Sequence, residues 1–249
     1  LLSISPTPAF GTAKPMSLRE ILRISPLGCV GMFLLGGVFS AQFGMAPVFG
    51  AEAGLSVAQI STFVSTFFVG ALLLQYPIGW LSDRMDRRVL ILAASAVCAG
   101  GAVIGFVFGG AFIMLLVAGF LIGGMSNPLY SLLIAYTNDF LDHDDMAAAS
   151  GGMVFINGLG AVAGPLVTGW VMGAIGPRGF FLFIAVLTLA MAGYAAYRMT
   201  QRAAPSVGET ESFAPLPPTA SAVAVEAAQE YAIETAQEEA AQEEAEAAR

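Results

Sequence analysis

The sequence predicts an all-α membrane protein with six transmembrane helices, and three observations carry that prediction. Of its 249 residues, 57% are hydrophobic and 11% charged, where soluble globular domains carry roughly 25% charged residues. Six apolar runs, at about 27–49, 57–81, 88–108, 111–137, 148–174 and 178–199, each approach the roughly 20 residues a helix needs to cross a bilayer. Lys14, Arg19, Arg23, Arg84, Arg87, Arg88, Arg198 and Arg202 fall on one side of these runs and Arg178 alone on the other, which is the bias of a cytoplasmic face. Both ends are therefore placed in the cytoplasm, and a plasma membrane is the expected location.

Three segments follow. Residues 1–25 read as a cytoplasmic linker ending in an interfacial turn, Leu18-Arg19-Glu20-Ile21-Leu22-Arg23; residues 26–200 form the membrane domain; residues 201–249 form an acidic tail, first Pro-containing and then rich in Ala and Glu. The net charge of −8 belongs to that tail, since ten of the 18 acidic residues lie at or beyond Glu209. Glu226, Glu230, Glu234 and Glu238 repeat every four residues, so like charges repel along any helix formed there. A disordered or fraying tail and a partner-binding helix both remain open. The chain begins without Met, and its first 25 residues lack a signal-peptide pattern; a truncated N-terminus is expected.

The first span carries Ser40 and Gln42, and the second Gln59, Ser61, Thr62, Ser65, Thr66 and Gln75. The fourth carries Ser126, Asn127, Tyr130, Ser131 and Tyr136, and the fifth Asn157 and Thr168. The third and sixth are nearly devoid of polar groups. Polar stripes in a membrane face protein or a water-filled cavity, so spans one, two, four and five are expected to line something and spans three and six to lie outside. Gln42, Ser65, Asn127, Tyr130, Ser131 and Asn157 are the candidate cavity residues. Helix–helix packing through small polar residues is the competing account of each.

Two of the prolines that fall inside spans stand directly after Asn or Gly. Asn127-Pro128 interrupts the fourth, freeing a carbonyl one turn back, and interrupted helices mark binding sites in transporters. Gly160, Gly164-Pro165 and Gly169 give the fifth a groove for close packing and a bending point. No Asp, Glu, Lys, Arg or His lies within the interior of any span, away from its ends. His143 sits in an acidic loop, Asp139 to Asp145, read as acidic capping of the fifth helix in preference to a cation site. No zinc spacing, nucleophile elbow or phosphate loop occurs. No enzyme activity, cofactor, metal or nucleic-acid partner is expected; a small-molecule solute and the lipid bilayer are.

Between spans two and three, Gly79-x-x-x-Asp83-Arg84-x-Asp86-Arg87-Arg88 places five charges in six positions. This turn resembles the loop signature of the major facilitator superfamily, and Gly160-x-x-x-Gly164-Pro165-x-x-x-Gly169 is similar to that family's Gly-Pro motif. Leu18 to Gly31, Pro128-Leu-Tyr-Ser and Ala149-Ser-Gly-Gly resemble the YcaD-like bacterial branch, where they occupy the second half. The family has twelve helices in two six-helix halves. The resemblance implies that residues 15–200 are the C-terminal half of a secondary transporter, with an N-terminal six-helix half as its partner. It further implies that Gly79, Asp83, Arg84 and Arg88 form a cytoplasmic gate, Asp83 capping a helix of the other half and Arg84 or Arg88 meeting an acidic group there. Arg87 and Arg88 are also accounted for by charge bias alone. Asp86 departs from the signature, which usually has Gly. A non-transporting six-helix scaffold, docking through its acidic tail, is the alternative from a different class.

Overall fold

The computed structural model describes residues 16–141 and 143–201. The proposed linker at 1–15, the tail beyond 201, Asp142 and the side chains of His143, Asp144 and Ala147 lie outside the described residues. Among those described, every regular element is helical. A short helix α1 (Leu18–Ile24) leads into α2 (Pro26–Ser40), a π-helical turn (Ala41–Met45) and α3 (Ala46–Glu52), which together make the first span. Then come α4 (Val57–Ser82), α5 (Arg87–Phe108), α6 (Phe112–Asn138), α7 (His143–Ile175) and α8 (Gly179–Met199). All six spans are long and apolar enough to cross a membrane.

Local chemistry sets the ends. Ser25 caps α2, accepting from the Gly28 N–H at 3.3 Å, with Pro26 in the first turn where a missing N–H costs nothing. Ser56 and Gln59 form a reciprocal capping box at the start of α4. Gly54 (φ +75°) and Gly176 (φ +85°) take the left-handed turns after α3 and α7, where a side chain would be strained. The π turn precedes Pro47. Its ring lacks an N–H and would crowd the Phe43 carbonyl, and one widened turn relieves both.

Helices pair where glycines let backbones touch. A Cβ on Gly36 or Gly160 would collide with the backbone of the facing helix, joining α2 to α7. Gly70 and Gly123 do the same between α4 and α6. In a bilayer, where apolar surface gains little from leaving lipid, such close packing is the main source of association.

The third and sixth spans, expected to lie outside, each have one packed face and one exposed face. They are 50% and 56% buried within the chain, against 22% for the second and fifth. Ala94, Cys98, Ala102 and Gly105 give α5 a tightly buried face, while Val97, Val103, Val107 and Phe108 stay exposed on the other. Being apolar all round lets a helix face lipid, but it does not stop small residues from making one side a packing face.

Candidate functional site

The charged turn is assembled from the ends of α4, α5 and α6. Helix α4 stops at Ser82, with Asp83 as its C-cap and the Asp83 N–H donating to the Gly79 carbonyl at 3.3 Å. Gly79 is buried. Asp86 (φ −56°, ψ 114°) is the N-cap of α5, accepting from the Arg88 N–H at 2.9 Å. Its dihedrals need no glycine, so replacing the signature Gly here supplies a cap without straining the turn.

Arg87 carries the densest set of contacts. Its side chain is 2% exposed. Nε donates to Ser82 Oγ at 3.1 Å and Nη1 to the Ala135 carbonyl at 3.2 Å. Nη1 also pairs closely with the Asp139 carboxylate, itself buried, and Nη2 lies 3.8 Å from Asp83. Charge bias across the membrane does not account for Arg87. It ties the turn to the end of α6. Asp139 accordingly closes α6 and pairs with Arg87, in place of its expected part in capping the fifth helix.

Arg88, expected to reach an acidic group in another half, is engaged within its own turn. Its guanidinium donates to Asp86 at 2.7–3.2 Å. Burial pushes the Asp86 carboxyl up, but the hydrogen bonds and charge of Arg88 outweigh this and hold it below the usual carboxylate range. Arg84 differs from both. It is exposed, donates to the Trp80 carbonyl at 3.0 Å and lies 4.2 Å over the Trp80 ring. Leu72, Gln75, Tyr76, Gly79, Trp80, Asp83 and Arg84 line an apolar groove of about 470 Å³ along this end of α4.

The mid-span candidates divide by exposure. Gln42 is fully buried in the π turn and exchanges two hydrogen bonds with Ser126, at 3.0 and 3.1 Å. Tyr130 and Ser131 are also buried, and the Tyr130 hydroxyl finds no hydrogen-bond partner among the described residues. Asn127 and Asn157 are half-buried. Asn127 Nδ2 donates to the Gly123 carbonyl and Asn157 Nδ2 to the Met32 carbonyl, both at 3.0 Å. Ser65 is exposed and donates to Ser61 of its own helix at 2.8 Å. Gly164 packs on Ser40 and Gly169 near Met45, so the Gly-Pro stretch of α7 lies along the π turn. Helices α6 and α7 continue through Pro128 and Pro165.

Sequence reasoning passed over an aromatic path beside these groups. Tyr130 meets Phe39 at 6.0 Å between centroids, Phe39 meets Phe43 at 5.8 Å, and Phe43 meets Phe68 at 5.6 Å. The path runs from the buried core to exposed rings at Phe43 and Phe68. Pro47 was the available signal, because it widens the turn that carries Phe43.

Six membrane-capable helices, a buried Arg–Asp tie at one end and a polar–aromatic face between them define a polytopic α-helical membrane protein. Residues 28–234 match the model of the Major Facilitator Superfamily, and the chain belongs to that family. It is 32% identical over 186 residues to YfkF of Bacillus subtilis (strain 168), an uncharacterized MFS-type transporter, covering 70% of this chain and 45% of the relative. It is 24% identical over 169 residues to YcaD of Salmonella arizonae, also an uncharacterized MFS-type transporter, covering 66% and 42%. The chain thus spans under half the length of these curated relatives. Two solved structures share the fold at 16% identity and a TM-score of 0.61: an auto-inhibited POT family peptide transporter (80% of this chain, 39% of that one) and the POT family transporter PepTSo (83% and 40%).

Proposed function

We propose that this chain works as the C-terminal six-helix half of a secondary transporter, moving a small solute by alternating access through a cavity shared with an N-terminal half. The observation that carries this is the uneven burial of the spans. The second and fifth are only 22% buried and turn out large side chains: Phe68, Leu72, Leu73, Tyr76 and Trp80 from one, and Phe155, Leu159, Val162, Leu166 and Trp170 from the other. Two helices so exposed, each anchored by glycine contacts on its opposite side, suit a face completed by another six-helix bundle. The family and the lengths of its relatives support the same reading.

Within the cavity, Asn127, Asn157 and Ser65 are the polar groups with surface to offer a solute, while Gln42, Tyr130 and Ser131 hold the wall behind them. This half brings uncharged hydrogen-bonding and aromatic contacts, and the charge turn at its cytoplasmic end serves as half of the gate. Both chain ends face the cytoplasm of a bacterial inner membrane. The test is uptake and efflux by the full-length protein across a compound panel, with Asn127→Ala beside wild type. Altered affinity or rate for the transported compound is expected. Wild-type transport with unchanged affinity overturns the assignment of Asn127, and no transport of any compound overturns the function.

A further inference from the structure

We propose that α1 is an anionic-phospholipid site, in which Arg19 and Arg23 hold the phosphates of lipid headgroups in the leaflet that borders the start of the first span. The inference rests on the cytoplasmic placement of this end given above.

Helix α1 is fixed by contacts on both sides. Ser17 caps it, accepting from the Glu20 N–H at 3.3 Å. Ile21 is fully buried, and a Cβ on Gly152 of α7 would collide with its side chain. The Ser25 N–H donates to the Ile21 carbonyl at 2.9 Å, and Ser25 Oγ shares a hydrogen bond of 3.0 Å with Thr137 of α6. One residue, Ser25, separates α1 from Pro26, where the membrane-crossing helix begins. A helix joined so tightly to a span lies at headgroup depth.

Its exposed surface is ordered in the way that depth demands. At 100° per residue, Leu18 and Leu22 form one stripe, and Arg19 and Arg23 form a second about 100° further round. Leu18 and Leu22 are 42% and 48% exposed, and both arginines are exposed. Glu20 lies beyond the arginines, roughly 60° or more from either. Going round the helix, the order is core, apolar, basic, acidic, which matches protein, acyl chains, headgroups and water. Neither Arg19 nor Arg23 forms an ion pair with a carboxylate among the described residues, whereas Arg87 and Arg88 both do. Arginine presents a planar fork of donors to phosphate and lays its stem along apolar surface. Because Ile21 rests on α7 and Ser25 on α6, a bound lipid bears on the cytoplasmic ends of the fourth and fifth spans.

The test uses the full-length protein, reconstituted in nanodiscs of phosphatidylethanolamine and phosphatidylglycerol, released into detergent and weighed with its retained lipids by native mass spectrometry. Wild type is expected to retain phosphatidylglycerol preferentially, less so as salt rises. Arg19→Gln with Arg23→Gln should weaken that retention about thirtyfold, from two basic charges near an anionic surface. Arg19→Lys with Arg23→Lys should keep most of it. Unchanged phosphatidylglycerol retention in the glutamine variant overturns the proposal, as does a preference in wild type that ignores salt or is displaced by millimolar inorganic phosphate. If the glutamine variant does not fold, the salt series on wild type still decides. Lipid retention is read without any transport, so failure here and failure of the transporter reading are separate results.

Discussion

Arg87, the first residue of α5, and Asp139, the residue that closes α6, form a buried ion pair across 52 positions of sequence. The arginine also donates to the Ala135 carbonyl and Ser82 Oγ, so three helix ends meet on one guanidinium. Two charges leave water at a cost that only near-complete hydrogen bonding offsets. Here the guanidinium has that set. The pair therefore specifies how the second, third and fourth spans meet at this end.

Breaking the pair from one side leaves a buried charge alone. Arg87→Met or Asp139→Asn should destabilise the protein by about 3–5 kcal/mol, read as a lowered unfolding midpoint by tryptophan fluorescence in detergent. Arg87→Met with Asp139→Leu should recover most of that loss, because replacing both partners by apolar groups is near neutral. A double variant no better than the singles would show that the contacts of Arg87 to Ser82 and Ala135 matter more than its pairing with Asp139.

The contact between the first and fifth spans depends on Gly160 lying on the Phe33 carbonyl. Gly160→Val must push the backbones apart or distort α7. Overpacking costs about 1–3 kcal/mol in well-packed interiors, and the upper part of that range is expected here because the obstructing atoms are backbone. Gly151→Val, where open space surrounds the added Cβ, should cost far less. Comparing the two melting curves checks whether close approach, and not loss of glycine as such, is responsible.

In the first span, Gln42 and Ser126 satisfy each other in a fully buried position. Ser126→Ala should cost about 1–3 kcal/mol, since it leaves the Gln42 amide short of a partner. Gln42→Leu combined with Ser126→Ala should cost less than the serine change alone. The unfolding midpoints of the three variants, measured in one detergent, test this ordering.

The six spans were legible because burying backbone in lipid leaves long helices as the solution, and their apolar runs are unambiguous. The turn at Gly79–Arg88 was legible as a charged boundary for the same reason. Which charges it pairs was not. Arg87 meets Asp139 only because α5 packs beside α6, and lateral packing among helices of similar hydropathy leaves little trace in a single sequence. Gln42 shows the same limit: a lone polar residue in a span reads as a cavity group until its hydrogen-bond partner, 84 positions away, is known. Counting polar residues likewise could not reveal that the third and sixth spans bury their small-residue faces. Pro47 could have marked a disturbance in the first span, though not that the relief would be a π turn presenting Phe43.

Asp86 gives the turn a pH dependence with a definite sign. Its carboxyl is held below the usual range, since Arg88 outweighs the opposing effect of burial. A carboxylate whose folded pKa lies below its unfolded value, about 3.9, stabilises the fold above that value. The contribution is lost as pH falls through the lower, folded pKa. Asp86→Asn keeps a capping side chain at the start of α5 but removes the charge. The variant should be less stable than wild type by about 1 kcal/mol near neutral pH, in line with a partly exposed ion pair. The difference should shrink as both proteins are acidified below about pH 4. Unfolding midpoints measured on each protein from neutral pH downward provide the check, and a gap that stays constant across the acid range would assign the loss to capping geometry instead of charge.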